Sequence, residues 1–291
     1  MAPQPLRRDP RLAPPFSMTN SGSRVDESNE LDALRHDLVD EQIALDEMVA
    51  GLAEADWHRA TPAVGWTVAD QIGHLAYFDS SAATAISDPD AFRVGVSELV
   101  DGATRDGVDT FTLGAFRELS KVQQLATWRH ARSELAVAAL ALNDETRVAW
   151  YGPSMGAKSF LGARLMETWA HGTDVADALH VERRATNRLR HVAQLGFITR
   201  KWSYLVRGEE PPKGDVRLEL TSPSGARWTW GRDDAADSIT GPVEDFCLVV
   251  TQRRHVDDTS LEAGELAHHW LVRAQAFAGA ATEGPKPRSV E

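Results

Sequence analysis

Apolar residues return at helical spacing through most of the first 180 positions, and few turn signals interrupt them. Leu31, Leu34, Leu38, Leu45, Met48 and Leu52 recur at near-heptad intervals, which predicts a first helix over Asn29 to Ala53 with Asp32, Asp37, Glu41 and Glu47 facing outward. Thr67 with Asp70 three positions on is a helix-start signal, and Val68, Ile72, Leu75, Tyr77 and Phe78 continue that helix to a stop before Asp88-Pro89. Phe116, Leu119, Val122, Leu125, Trp128, Leu135 and Leu140 predict one long third helix over Phe111 to Leu142. Asn143 to Ser159, with Gly152-Pro153 and Gly156, reads as a loop, and Phe160 to His180 as the fourth helix. Each such helix must bury one stripe, and four of them make a four-helix bundle.

The pattern changes after Ala185. A short helical stretch (Leu189 to Tyr204) runs into Gly208-Glu209-Glu210-Pro211-Pro212. Val216 to Leu220 and Ala226 to Trp230 then alternate at period two around Thr221-Ser222-Pro223-Ser224-Gly225, a β-hairpin signal. Asp237 to Gly241 reads as a further short strand, followed by helices over Val243 to Arg254 and Ala263 to Phe277. The expected class is mainly α. A disordered tail (1–28) precedes a bundle over 29–183, followed by a small α+β domain over 184–282 and a second tail over 283–291.

At 291 residues the chain is long enough for one large domain or two ordinary ones. No apolar run approaches the ~18 to 20 residues that cross a bilayer. Met1 to Glu30 is rich in Pro, Arg, Ser and Asn and lacks the apolar stretch of a signal peptide, so a cytoplasmic protein is expected. Met18 competes with Met1 as the start. A net charge of −12 argues against nucleic acid as the main partner, since phosphate binding needs a basic footprint. The local basic run Arg183, Arg184, Arg188, Arg190 and His191 fits a solvated helix face. The single cysteine, Cys247, sits among Phe246, Leu248, Val249 and Val250 and reads as a buried core thiol.

Chemistry concentrates in two distant segments, Gly65-Trp66-Thr67-Val68 with His74-Leu75, and Glu167-Thr168-Trp169-Ala170-His171-Gly172-Thr173-Asp174. Glu167 and His171 lie one turn apart on one helix face. With His74 they supply two imidazoles and a carboxylate, a donor set for a divalent metal with open positions. Glu167 alone reads as a surface charge, but Leu165, Met166, Trp169 and Ala170 leave little polar surface around it, and a buried carboxylate must be paired, protonated or liganded. Asp174 reads equally as a hydrogen-bond acceptor for a ligand imidazole or as an ordinary surface aspartate. Trp66 and Trp169 read as walls of the site or as core. The zinc-protease pattern, the nucleotide-binding glycine patterns and the Gly-x-Ser-x-Gly elbow do not occur.

On these residues the chain resembles the metal-binding domain of mycothiol-dependent maleylpyruvate isomerases, within the DinB-like superfamily of four-helix bundles. The resemblance covers about Leu31 to Leu179. It implies His74, Glu167 and His171 as metal ligands, zinc as the metal and mycothiol as thiol cosubstrate. Bundles of this superfamily pair as homodimers, although no interface is legible here. Asp237-Ser238-Ile239-Thr240-Gly241-Pro242, leading to Val250-Thr251-Gln252-Arg253, resembles the C-terminal domain that accompanies such bundles in actinobacteria. That domain is sometimes labelled for wyosine base formation, a tRNA chemistry to which the negative charge gives no support. In the isomerases a C-terminal arginine serves the substrate. Arg253 is the nearest match, with Gln252 where the family tends to have glycine, and a structural salt bridge is the competing reading.

The implied reaction is attack of a metal-activated thiolate on a small electrophile, giving isomerisation by addition and elimination or S-transfer. Arg253, or Arg254, would pair with a substrate carboxylate across the cleft between domains. The rivals are a hydrolase using metal-activated water and a metal-stabilised binding module without turnover.

Overall fold

The computed structural model describes residues 24–288. Most of the expected N-terminal tail, the choice between Met1 and Met18, and the last three residues of the expected C-terminal tail lie outside the described residues.

Helix α1 (Arg24–Ala50) starts ahead of the predicted Asn29. After a single turn, α2 (Glu54–Trp57), the chain enters α3 (Val68–Ser87) through the expected cap. The Thr67 hydroxyl accepts from the Asp70 amide, and the Asp70 carboxylate accepts from the Thr67 amide at 2.9 Å. Asp88 then caps α4 (Pro89–Asp106), whose first turn Pro89 suits. The predicted long third helix is two helices, α5 (Val108–Arg117) and α6 (Lys121–Ala139). Ser120 and Gln123 form a second capping box between them. The apolar period runs through this break almost in phase, which hides it from periodicity.

A short β1–β2 hairpin (Arg147–Val148, Met155–Gly156) leads into α7 (Ala157–Leu179). Helices α1, α3, α6 and α7 form the bundle, and α4 and α5 pack as an excursion on α3. Phe116 of α5 presses onto Gly73, where an added Cβ would lie 2.7 Å from its ring.

The C-terminal part begins with α8 (Leu189–Ile198) and α9 (Arg200–Leu205). Strands β3 (Val216–Thr221) and β4 (Arg227–Trp230) form the predicted hairpin, and β5 (Asp237–Pro242) adds parallel to β3 on its other side, with Leu218 opposite Ile239. Helix α10 (Val243–Val250), β6 (Glu262–Ala263) and α11 (Glu265–Leu271) complete a sheet of order β4-β3-β5-β6 covered by helices. Val216, Leu218 and Leu220 are buried with Val192, Phe246 and Trp270, in a cluster continuous with Leu34, Phe160 and Leu165 of the bundle. Cys247 lies in this core, where burial pushes its thiol well up from the ordinary range. No helix of the described residues is long and apolar enough to cross a membrane.

Two expectations of exposure change. Glu41 is not outward: it is buried and accepts from Arg183 and from Arg188, the latter at 2.6 Å. The basic run is only in part a solvated face: Arg184 and Arg190 are exposed, while Arg183 and Arg188 turn in to Glu41. His191 bonds Asp37 at 2.7 Å, and Arg190 lies over the Trp228 and Trp230 rings. Tertiary cover from α8 and its linker, invisible in the period of α1, recruits Glu41, Arg183, Arg188 and the Asp37–His191 pair into a seam.

Candidate metal centre

Each position of Gly65-Trp66-Thr67 has a local task. Gly65 takes φ +82°, a left-handed turn that costs a glycine little. The turn returns Trp66 so that its carbonyl accepts from the Thr61 amide at 2.8 Å, and Thr67 then caps α3. The capped helix presents Gln71 and His74 toward α7, which presents Glu167 and His171.

The three predicted ligands converge. Glu167 Oε2 lies 3.1 Å from His171 Nε2 and 3.5 Å from His74 Nε2, and one donor atom from each residue falls within 4.8 Å of the others. The imidazole centroids are 4.4 Å apart. The side chains are 19%, 23% and 11% exposed for His74, Glu167 and His171, so the group sits at the edge of the bundle and an ion there would keep solvent-facing positions.

The electrostatics suit a cation. Burial drives the His74 pKa down to about 4, the neighbouring His171 pushes the same way, and Glu167 opposes only in part. His74 is therefore a neutral imidazole at pH 7, with a lone pair to give. Burial pushes the Glu167 carboxyl up, but the His171 and His74 imidazoles against it outweigh that and hold the group well below the usual carboxylate range. Metal ligands must be deprotonated, and His74 and Glu167 meet that condition. Among the described residues no lysine or arginine pairs with Glu167.

His171 is oriented by a residue the sequence reading did not single out. Its Nδ1 lies 2.5 Å from Gln71 Oε1, and the Gln71 amide nitrogen donates to Thr61 Oγ1 at 2.8 Å. Because that nitrogen is committed to Thr61, the oxygen faces His171. The imidazole then carries its proton on Nδ1 and leaves Nε2 for the metal side. Gln71 is one turn before His74, and that spacing was the available signal. Asp174 does not take this role. It lies 4.0 Å from His171 Nδ1 and accepts from Arg253 Nη2 at 2.8 Å and Nε at 3.3 Å.

Arg253 thus stands on the Nδ1 side of His171, away from Glu167, and Arg254 pairs with Asp177 through two 2.8 Å bonds. Gln252 takes φ +60°, the left-handed conformation that glycine favours. Its side chain donates to the Ala274 carbonyl at 3.0 Å. The backbone turn that aims the arginines at α7 therefore exists without the family's glycine.

Of the two candidate tryptophans, Trp66 walls the site. Its ring stacks on His171 at 6.0 Å and 17°, lies 5.2 Å from His74, and is held by a 2.8 Å bond from its indole nitrogen to Asp109. Trp169 is buried instead in the core shared with the C-terminal part. Phe78 supplies a second wall, 4.5 Å from His74 and packed on Tyr151 from the β1–β2 loop. The sequence reading treated that loop only as a connector.

Comparison with known proteins bears on this arrangement. Residues 27–176 match the family model of the mycothiol maleylpyruvate isomerase N-terminal domain. The chain belongs to this family. Among its relatives are two uncharacterised proteins of Mycobacterium tuberculosis, from strains CDC 1551 and H37Rv. Each is 47% identical over 247 residues, covering 84% of this chain and 94% of the relative. The mycothiol-dependent maleylpyruvate isomerase crystal structure shares the fold with a TM-score of 0.52 at 17% identity, over 88% of this chain and 96% of that one. A histidine-to-alanine mutant of that enzyme gives the same TM-score at 16% identity, over 80% and 92%. At such identities the likeness speaks for the fold of this maleylpyruvate isomerase-family chain, bundle and C-terminal part together.

Proposed function

We propose that this chain is a mycothiol-using enzyme of the isomerase or S-transferase type, working with a divalent metal, zinc by its donor set, held by His74, Glu167 and His171. The observation that carries the reading is the convergence of two imidazoles, one of them held neutral by burial, and an ionised carboxylate at a solvent-reachable edge, with no arginine or lysine among the described residues pairing with it. When bound, a divalent ion supplies positive charge that lowers a thiol pKa from its usual ~8.5 toward neutrality.

The protein's own residues do the rest. Gln71 fixes the His171 tautomer through Nδ1. Trp66 and Phe78 keep water from two sides of the imidazoles. Arg253, paired with Asp174 on the Nδ1 side of His171, serves the site by holding the C-terminal part against α7 and not by touching substrate. Small-molecule thiol and small electrophile are thus the partners proposed.

Isothermal titration of the zinc-loaded protein with mycothiol tests this. A saturable heat, absent from the His74→Ala protein, is expected. Absence of that heat, together with thiol-free ester or amide cleavage, would turn the reading to a hydrolase. Absence of both, with a metal-dependent melting temperature, would leave a binding module.

A further inference from the structure

All four bundle helices bring a polar side chain to one buried carboxylate. Asp79 on α3 is wholly buried, and its Oδ1 accepts from Arg164 Nε at 3.1 Å and Nη2 at 2.8 Å, on α7. Its Oδ2 accepts from Gln42 of α1 at 3.1 Å. The buried Trp128 indole nitrogen of α6 lies near the same carboxyl without closing a hydrogen bond to it. Arg164 is 4% exposed and Asp79 0%.

Such a pair is a poor means of stabilising a fold. Each ion loses its hydration on burial, and apolar replacements of similar volume are often neutral or stabilising. What an ionic pair adds to an apolar seam is direction and register. Leucine stripes tolerate a slip, whereas a slip here strands two buried charges.

The register it fixes is that of the metal centre. Gln71, His74 and Asp79 follow one another along α3, and their partners His171, Glu167 and Arg164 follow in reverse order along α7. These are rungs of one antiparallel ladder. A slip of one helical turn, about 5.4 Å, would carry Glu167 away from His74 and His171 away from Gln71.

We propose that the Asp79–Arg164 pair is a positioning device for the metal centre, locking α3 and α7 in the register at which His74, Glu167 and His171 converge. This rests on the reading of those three residues as metal ligands. Asp79 and Arg164 touch neither metal nor substrate in this role.

The test uses the full chain and Co²⁺ as probe, with affinity and visible absorption read alongside the melting temperature of the metal-free protein. The Asp79→Leu/Arg164→Met double variant is expected to melt at or above the wild-type temperature. It should bind Co²⁺ about tenfold or more weakly, with altered absorption bands. Wild-type affinity and spectrum in the folded double variant would overturn the proposal while leaving the metal site intact. Should the double variant not fold, Arg164→Lys decides. It keeps the charge and loses the two-pronged bond, so weakened Co²⁺ binding in a folded protein supports the proposal and unchanged binding overturns it. Wild-type protein that takes up no Co²⁺ overturns the metal reading, and this one with it.

Discussion

Helix α7 treats its acidic residues in two ways. Asp174 and Asp177 are each met by two bonds from an arginine of the C-terminal part, Arg253 and Arg254. Glu167, two turns earlier, meets only imidazoles. The same contrast holds across the molecule. Glu41 is answered by Arg183 and Arg188, and Asp46 by Arg129 and Arg132. An acid neutralised by arginine is finished as a structural element, because its charge is already balanced. An acid held between imidazoles, with no arginine or lysine among the described residues on it, keeps its charge for a cation. The seam and the metal centre are built from the same residue types and differ in that balance.

The contrast can be broken from either side. The largest effect is expected at the seam. Glu41→Ala strands two partly buried arginines and should cost about 3–5 kcal/mol in denaturant unfolding, with zinc stoichiometry of the folded protein unchanged. Loss of zinc in proportion to stability would show that the two regions are not separable. Asp174→Ala removes the Arg253 partner and should cost about 1.5–3 kcal/mol, again with metal affinity nearly preserved, because Asp174 does not hold His171.

Gln71→Leu acts on the other side of the comparison. It should weaken zinc binding about 10- to 100-fold, roughly 1.4–2.7 kcal/mol, with a smaller change in melting temperature. Equal zinc affinity in Gln71→Leu and wild type would remove the tautomer argument.

The smallest effect is in acid. Burial pushes the Asp46 carboxyl up, but bonds from Arg129 and the charge of Arg132 outweigh it, so its folded pKa lies below the unfolded value. Its contribution is therefore full above about pH 4, the unfolded carboxylate pKa, and is lost as pH falls through the folded value. Asp46→Asn should flatten the fall in melting temperature between pH 5 and 3. Arg129 is 46% exposed, so solvent screening keeps the effect below about 1 kcal/mol.

How much of this was legible depends on range. The four bundle helices, the Thr67 cap and the β3–β4 hairpin follow from local period and cap chemistry, and all appear. The cluster of His74, Glu167 and His171 was legible because two share a helix face and the third follows a recognisable turn. What was missed is tertiary. The fates of Glu41 and the basic run depend on cover by α8, which no helical period reports. Spacing left Asp174 open between a partner of His171 and an ordinary surface aspartate; it is neither, because an arginine 79 positions away takes it in place of an imidazole at 4.0 Å. The break at Ser120 carried a Ser-x-x-Gln signature that the continuing apolar period overrode.

The central claim is that His74, Glu167 and His171 hold one metal ion. Elemental analysis after zinc loading and gel filtration tests it directly. Wild-type protein should carry close to one zinc per chain. The His74→Ala and Glu167→Gln proteins, shown folded by circular dichroism, should carry almost none. Wild-type zinc content in both folded variants would contradict the claim.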